Sequence, residues 1–184
     1  MTDSPLLDLH RLVWTALMAA LIGAGAYLIV PIGPVPVSLQ TLFIFLAGYT
    51  LGPRHGVLAV ALYLLAGIVG LPVFAGGTSG LGHLLGPTGG FLFGFVLAAL
   101  LCGLARPAQG KLVPWGRGLL FGVLAIIALY ALGVARLKAV LDFTWAKAMA
   151  VGMIPFIPWA AVKIVVALAC CRYLARLNLL PGQR

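Results

Sequence analysis

Residues 70–90 read GLPVFAGGTSGLGHLLGPTGG and separate two long apolar halves of the chain. The stretch holds eight glycines, two prolines, Thr78, Ser79, Thr88 and His83, with no lysine, arginine or acid. Each glycine gives up backbone entropy in a helix and each proline removes a donor, so the segment reads as irregular. At membrane depth, irregular backbone is tolerated only where protein caps it or where it lines a watery cavity. A polar, bendable loop between apolar spans is therefore a candidate half of a ligand site. Its glycines, Gly76, Gly77 and Gly90 among them, let backbone groups approach a ligand closely.

The flanks settle the class. The 184 residues are 63% hydrophobic and 8% charged, with a mean hydropathy of +1.16. Soluble domains carry about 25% charged residues. The sequence predicts an all-α integral membrane protein, a compact bundle of six transmembrane helices with irregular extracellular loops. Residues 1–184 form a single domain in the lipid bilayer, with spans at about 12–30, 38–51, 56–70, 90–105, 118–136 and 157–177. The second and third spans are short and meet at Gly52-Pro53-Arg54-His55-Gly56, so a re-entrant hairpin is the alternative for that pair.

The first span follows a short polar start containing Asp3 and Asp8. Ala24-Gly25-Ala26 imitates a signal-peptidase site, but the acids spoil a positive leader and the apolar run continues past it, so an uncleaved span is expected. Ala16, Ala20 and Ala24 recur every four residues, a spacing that gives a smooth helix face for close packing, either inside the bundle or against a partner. After the loop PIGPVPVSLQ (31–40) and the glycine-rich stretch, a basic segment follows from Arg106 to Arg117. Arg136 to Ile157 is a longer connection in which Thr144 is placed to cap a short helix through Met149.

Twelve Lys and Arg face only Asp3, Asp8 and Asp142. In a soluble protein that balance would suggest nucleic acid, but here the basic residues act as orientation signals and no nucleic acid is expected. With six crossings, eight basic residues fall on the side of the termini, three on the opposite side, and Lys163 inside a span. The positive-inside rule then places both termini in the cytoplasm of a multi-pass cell-membrane protein. The proline loop, the glycine-rich loop and the Arg136–Ile157 connection all face outside.

Several chemistries are disfavoured. Cys102, Cys170 and Cys171 lie in apolar runs without metal-ligand spacing, so no metal or other cofactor is expected. Gly110-Lys111 is followed by Leu112 where a phosphate-binding loop needs Ser or Thr. His83 lacks a nucleophile and an orienting acid, and no carboxylate pair exists for hydrolysis, so the chain does not read as an enzyme. Lys163 is the sharpest single signal. It lies about 7 Å into the last span from Pro158, where a lysine either snorkels to the interface or is kept for an anion. No acid occupies a neighbouring span to neutralise it.

Three stretches, VPVSLQTLFIFLAGYTLGPRHG, LYLLAGIVGLPVFAGGTSGLGHLLGPTGGFLFGF and MIPFIPWAAVK, together resemble the BioY family, the biotin-specific S components of energy-coupling factor transporters. The resemblance covers most of residues 12–175 in the right order. It implies a six-helix membrane protein that binds biotin from outside. It also implies partners not encoded here, a transmembrane T component and two ATPase subunits, with Ala16 and Ala20 on the surface that docks the T component. Lys163 falls on the lysine of the family's P-G-D-x-x-K pattern, but Trp159 and Ala160 replace its glycine and acid. For a biotin ligand, Lys163 would meet the carboxylate, and Phe74, Phe91 and Trp159 would wall the apolar part. Gln40, Thr78, Ser79 or His83 would supply the acceptor that the missing acid does not, and Thr88 would be a further ligand-binding residue. An S component for another vitamin, or a structural subunit without a ligand, are the alternatives.

Overall fold

The computed structural model describes residues 5–30, 37–107 and 112–181; the loop 31–36 and Lys111 fall outside them. Helix α1 (Pro5–Gly25) leads through an antiparallel pair of two-residue strands, β1 (Ile29–Val30) and β2 (Val37–Ser38), into α2 (Gln40–Ile68). The glycine-rich stretch follows, with a short α3 (Leu81–Leu85) inside it. Then come α4 (Gly89–Leu104), α5 (Trp115–Leu141), the short α6 (Trp145–Gly152) and α7 (Ile157–Arg176).

Helix α2 is a hairpin rather than a rod. Gln40 Nε2 donates to Tyr63 Oη at 2.6 Å, although 23 residues of straight helix would separate them by about 35 Å. The fold-back occurs at Gly52, whose φ of +79° and ψ of −177° suit only glycine. Pro53 follows and has no N–H, so the Tyr49 carbonyl loses its helical partner. The Cys171 thiol of α7 bonds that carbonyl instead at 3.4 Å, and the Arg106 guanidinium donates to the Thr50 carbonyl beside it. Glycines let the legs meet: a Cβ on Gly56 would stand 3.0 Å from Gly48 Cα, and one on Gly48 2.6 Å from the Ala99 carbonyl oxygen of α4. Three backbones therefore touch at one point, the close approach that small residues permit in membranes.

With α2 counted as two legs, the bundle has six helices, and the hairpin is its centre, packed on α1, α4 and α7 while α4 packs on α5. Among the described residues, Gln40–Ile68, Trp115–Leu141 and Trp145–Arg176 are long and apolar enough to cross a membrane, and Gly89–Leu104 is a shorter apolar helix. Side chains such as Phe93, Leu120, Ile127 and Val165 face outward from it, as a lipid-facing surface requires.

The hairpin reaches from one end of the bundle to the other. At its tip, Arg106 holds Thr50 and also donates to the Pro181 carbonyl at 2.7 Å, while Arg172 donates to Val113 and lies over the Trp115 ring. This end gathers the tip of α2, the ends of α4 and α7 and the start of α5. The glycine-rich stretch and the connection from α5 to α7 lie at the opposite end, beside the start of α2. Thr144 caps α6 by accepting from the Lys147 N–H at 3.3 Å. Helix α5 continues through Arg136 and Lys138, beyond the 118–136 span read from the sequence, until Asp142 adopts a left-handed cap at φ 53°. The charges mark where apolar surface stops, not where helical hydrogen bonding stops.

Candidate functional site

At the loop end a cleft enclosing about 750 Å³, open mouth included, lies between the helices. One wall is polar: Ser38 of β2, Gln40 and Thr41 at the start of α2, and Lys163 of α7. The opposite wall is apolar apart from one hydroxyl: Phe91, Leu92 and Phe95 of α4, and Leu129 and Tyr130 of α5. Ala75, His83, Thr88, Gly152 and Phe156 complete the lining from the connections.

Lys163 is 9% exposed. Its Nζ donates to the Ser38 carbonyl at 2.6 Å and to Thr41 Oγ1 at 2.9 Å, which ties α7 to the first turn of α2. Both acceptors are neutral, and among the described residues no carboxylate lines the cleft. An ammonium carries three donors, so one remains for a ligand. Ala160, at the position of the family acid, is a buried methyl one turn away. Ser38 and Thr41 thus provide the orientation that an acid on the same helix would otherwise give.

His83 is fixed on three sides. Its ring stacks on Phe74, 5.1 Å between centroids at 19°, with Nδ1 3.1 Å from Thr78 Oγ1 and Nε2 3.3 Å from Thr88 Oγ1. Thr78 spends its one hydroxyl hydrogen on the Ala75 carbonyl at 3.0 Å, so it accepts from Nδ1–H and leaves Nε2 to accept from Thr88. The neutral ring is fully paired, and burial holds its pKa below 6.5. Phe74 is completely buried between Tyr63 and His83, with its ring against the Gly67 backbone. The Gly80 N–H donates to the Gly67 carbonyl at 2.7 Å, pinning the glycine-rich loop to the end of α2.

Of the residues singled out from the sequence, Gln40, His83, Thr88, Phe91 and Lys163 come together in the lining. Phe74 and Thr78 stand behind it, supporting His83. Gly76 and Gly77 form a positive-φ turn away from the cleft, Gly77 beside the Tyr27 ring, and Ser79 is exposed. Gly90 packs against the Leu132 carbonyl of α5. Trp159 is 44% exposed on the outer face, and Phe156 takes the aromatic place in the lining. Ser38, Thr41, Leu129 and Tyr130 carried no local signal in the sequence. On α1, Ala16, Ala20 and Ala24 are all exposed, an uncovered face of small residues.

The cleft therefore offers one buried cation, neutral hydrogen-bonding groups and aromatic walls. That set fits a small anion with a polar head and an apolar middle.

Comparison with known proteins agrees with this geometry. A biotin transporter BioY of Thermotoga maritima is 43% identical over 160 residues, 86% of this chain and 92% of that one. Biotin transporter BioY2 of Lactococcus lactis is 36% identical over 175 residues, 92% of this chain and 94% of that one. The crystal structure of an S-component for biotin from an ECF-type ABC transporter superposes with a TM-score of 0.83 at 25% identity, covering 95% of both chains. The model of the BioY family matches residues 1–179. With nearly its whole length matched and the same helical fold, the chain belongs to the BioY family.

Proposed function

We propose that this chain is a membrane subunit that binds biotin for uptake, the S component of an energy-coupling factor transporter. The observation that carries the reading is Lys163: a cation 9% exposed, held by two neutral acceptors in a cleft without a carboxylate. Biotin supplies the missing anion with its valeryl carboxylate. Phe91, Phe95 and Phe156 offer apolar surface to its thiophane ring and chain, and Gln40 and Thr88 offer polar atoms to its urea, with His83 holding Thr88 in place. Phe74, Thr78 and the glycine turn act in this reading by holding His83 and the loop.

Both termini lie in the cytoplasm and the cleft opens outward, which agrees with the concentration of arginines at the α2 tip and the ends of α4 and α7. The exposed Ala16, Ala20 and Ala24 face serves a T component that carries two ATPase subunits, because a side-chain-poor helix face allows a partner helix to approach closely. No catalytic step is required of the chain itself.

The test is titration of the purified full chain in detergent with biotin, thiamine and riboflavin. Saturable one-to-one binding of biotin, not displaced by the other two, is expected. Preference for thiamine or riboflavin would assign the cleft to another vitamin, and binding of none would remove the ligand-binding role.

A further inference from the structure

Tyr130 is the polar atom on the otherwise apolar side of the cleft. Its side chain is 8% exposed in the middle of α5, edge-on to Phe91 at 6.3 Å and 81°. The other two buried tyrosines are paired within the protein: Tyr49 Oη donates to the Gly118 carbonyl at 2.7 Å, and Tyr63 Oη accepts from Gln40 at 2.6 Å. Tyr130 Oη has no hydrogen-bond partner among the described residues, and it is not one of the sealed atoms, so it opens onto the cleft. A buried tyrosine hydroxyl normally finds a partner. A phenylalanine would pack against Phe91 equally well, so packing alone gives no reason for the hydroxyl.

Lys163 and this hydroxyl belong to different walls of the cleft, Lys163 to α7 beside Ser38 and Thr41, and Tyr130 to α5 among Leu92, Phe95 and Leu129. Next to Lys163, Ile164 packs against Gly122 of α5, and Tyr130 lies eight residues nearer the outer end of that helix. Resting on the biotin reading above, we propose that Tyr130 is a ligand contact: its Oη donates to the urea oxygen of biotin while the carboxylate meets Lys163. A neutral hydroxyl surrounded by apolar groups suits an uncharged urea better than a carboxylate, which would be poorly solvated there.

The test is Tyr130→Phe in the full chain, with wild type alongside, measured by calorimetry with biotin and biotin amide and by thermal unfolding without ligand. Loss of a neutral hydrogen bond should weaken both ligands by about 3- to 12-fold and to the same extent. Unfolding of the ligand-free protein should stay unchanged, because the hydroxyl has no protein partner to lose. Biotin affinity within twofold of wild type would overturn the proposal. So would a lowered unfolding temperature, which would give the hydroxyl a structural role. Weakening of biotin but not of the amide would move the contact to the carboxylate and reverse the vitamin. Failure of wild type itself to bind biotin would remove the underlying reading instead, a result the wild-type arm shows separately.

Discussion

Replacing Lys163 by glutamine tests the charge on which the binding reading depends. The ammonium is 9% exposed, bonded at 2.6 and 2.9 Å to neutral oxygens, with no carboxylate in the lining. A bound carboxylate would be its formal countercharge. Truncating one partner of such a desolvated pair costs about 2–5 kcal/mol, largely because the other charge is left uncompensated. That range corresponds to roughly 30-fold to several thousand-fold in affinity. Glutamine keeps a donor near Ser38 and Thr41 but brings no charge. Biotin amide has no anion to strand, so its affinity should fall by only about threefold or less, the share due to the altered tie between α7 and α2. Calorimetry with both ligands at matched salt reads the difference directly. Equal weakening of the two would refute the assignment of Lys163 to the carboxylate.

Four other outcomes are expected. Gly52→Ala places a Cβ in a backbone region near φ +79°, ψ −177° and should cost about 1–3 kcal/mol, seen as a lower unfolding temperature in detergent; an unchanged temperature would mean that the hairpin relaxes freely. His83 has its pKa held below 6.5 by burial, so the unfolded chain binds its proton first and the stability of the neutral form, fully present above 6.5, falls as pH drops toward the folded value. His83→Gln should lose part of that slope between pH 7.5 and 5 in thermal unfolding, and an unaltered slope would exclude His83 as its source. In a background with the exposed Cys170 changed to serine, cysteines at Thr78 and Thr144 should react with impermeant reagent from outside and one at Arg54 only from inside; Thr78 reactive solely from inside would invert the topology. Ala20→Leu should lower ATPase-driven uptake while biotin binding persists, whereas equal loss of both would assign the alanine face to the chain's own folding.

What the sequence made legible was whatever had a local cause. The glycine-rich stretch, the Gly52-Pro53 break, the Thr144 cap and Lys163 each depend on the backbone or charge chemistry of a few adjacent residues. Each stands in the structure as an irregular loop, a fold-back, a capped helix and a buried cation. The far end of α5 was not legible, because charge falls at Arg136 while helical bonding continues to Leu141. Site residues that depend on distant pairing were not legible. Thr41 meets Lys163 across 122 positions, and Ser38 meets it across 125. Tyr130 sits in an apolar run with no polar neighbour to distinguish it from a lipid-facing aromatic. Trp159 had an equally good local argument, yet it points outward because only one face of α7 reaches the cleft.

The placement of the cleft follows from the same break that makes α2 a hairpin. Folding back at Gly52 uses one end of the bundle for closely packed backbones and for arginines that satisfy freed carbonyls, as Arg106 does for Thr50 and Pro181. Both legs return to the other end, where Gln40 and Tyr63 are brought together and the glycine-rich loop is pinned at Gly67. Polar groups at this end are held by neighbours rather than neutralised by them: Lys163 by two neutral oxygens, His83 by two threonines. A site built in this way is fixed before the ligand arrives, so little binding energy is lost to ordering side chains. Among the described residues no acid lines the cleft, so in the proposed reading the charge of Lys163 is left for the ligand.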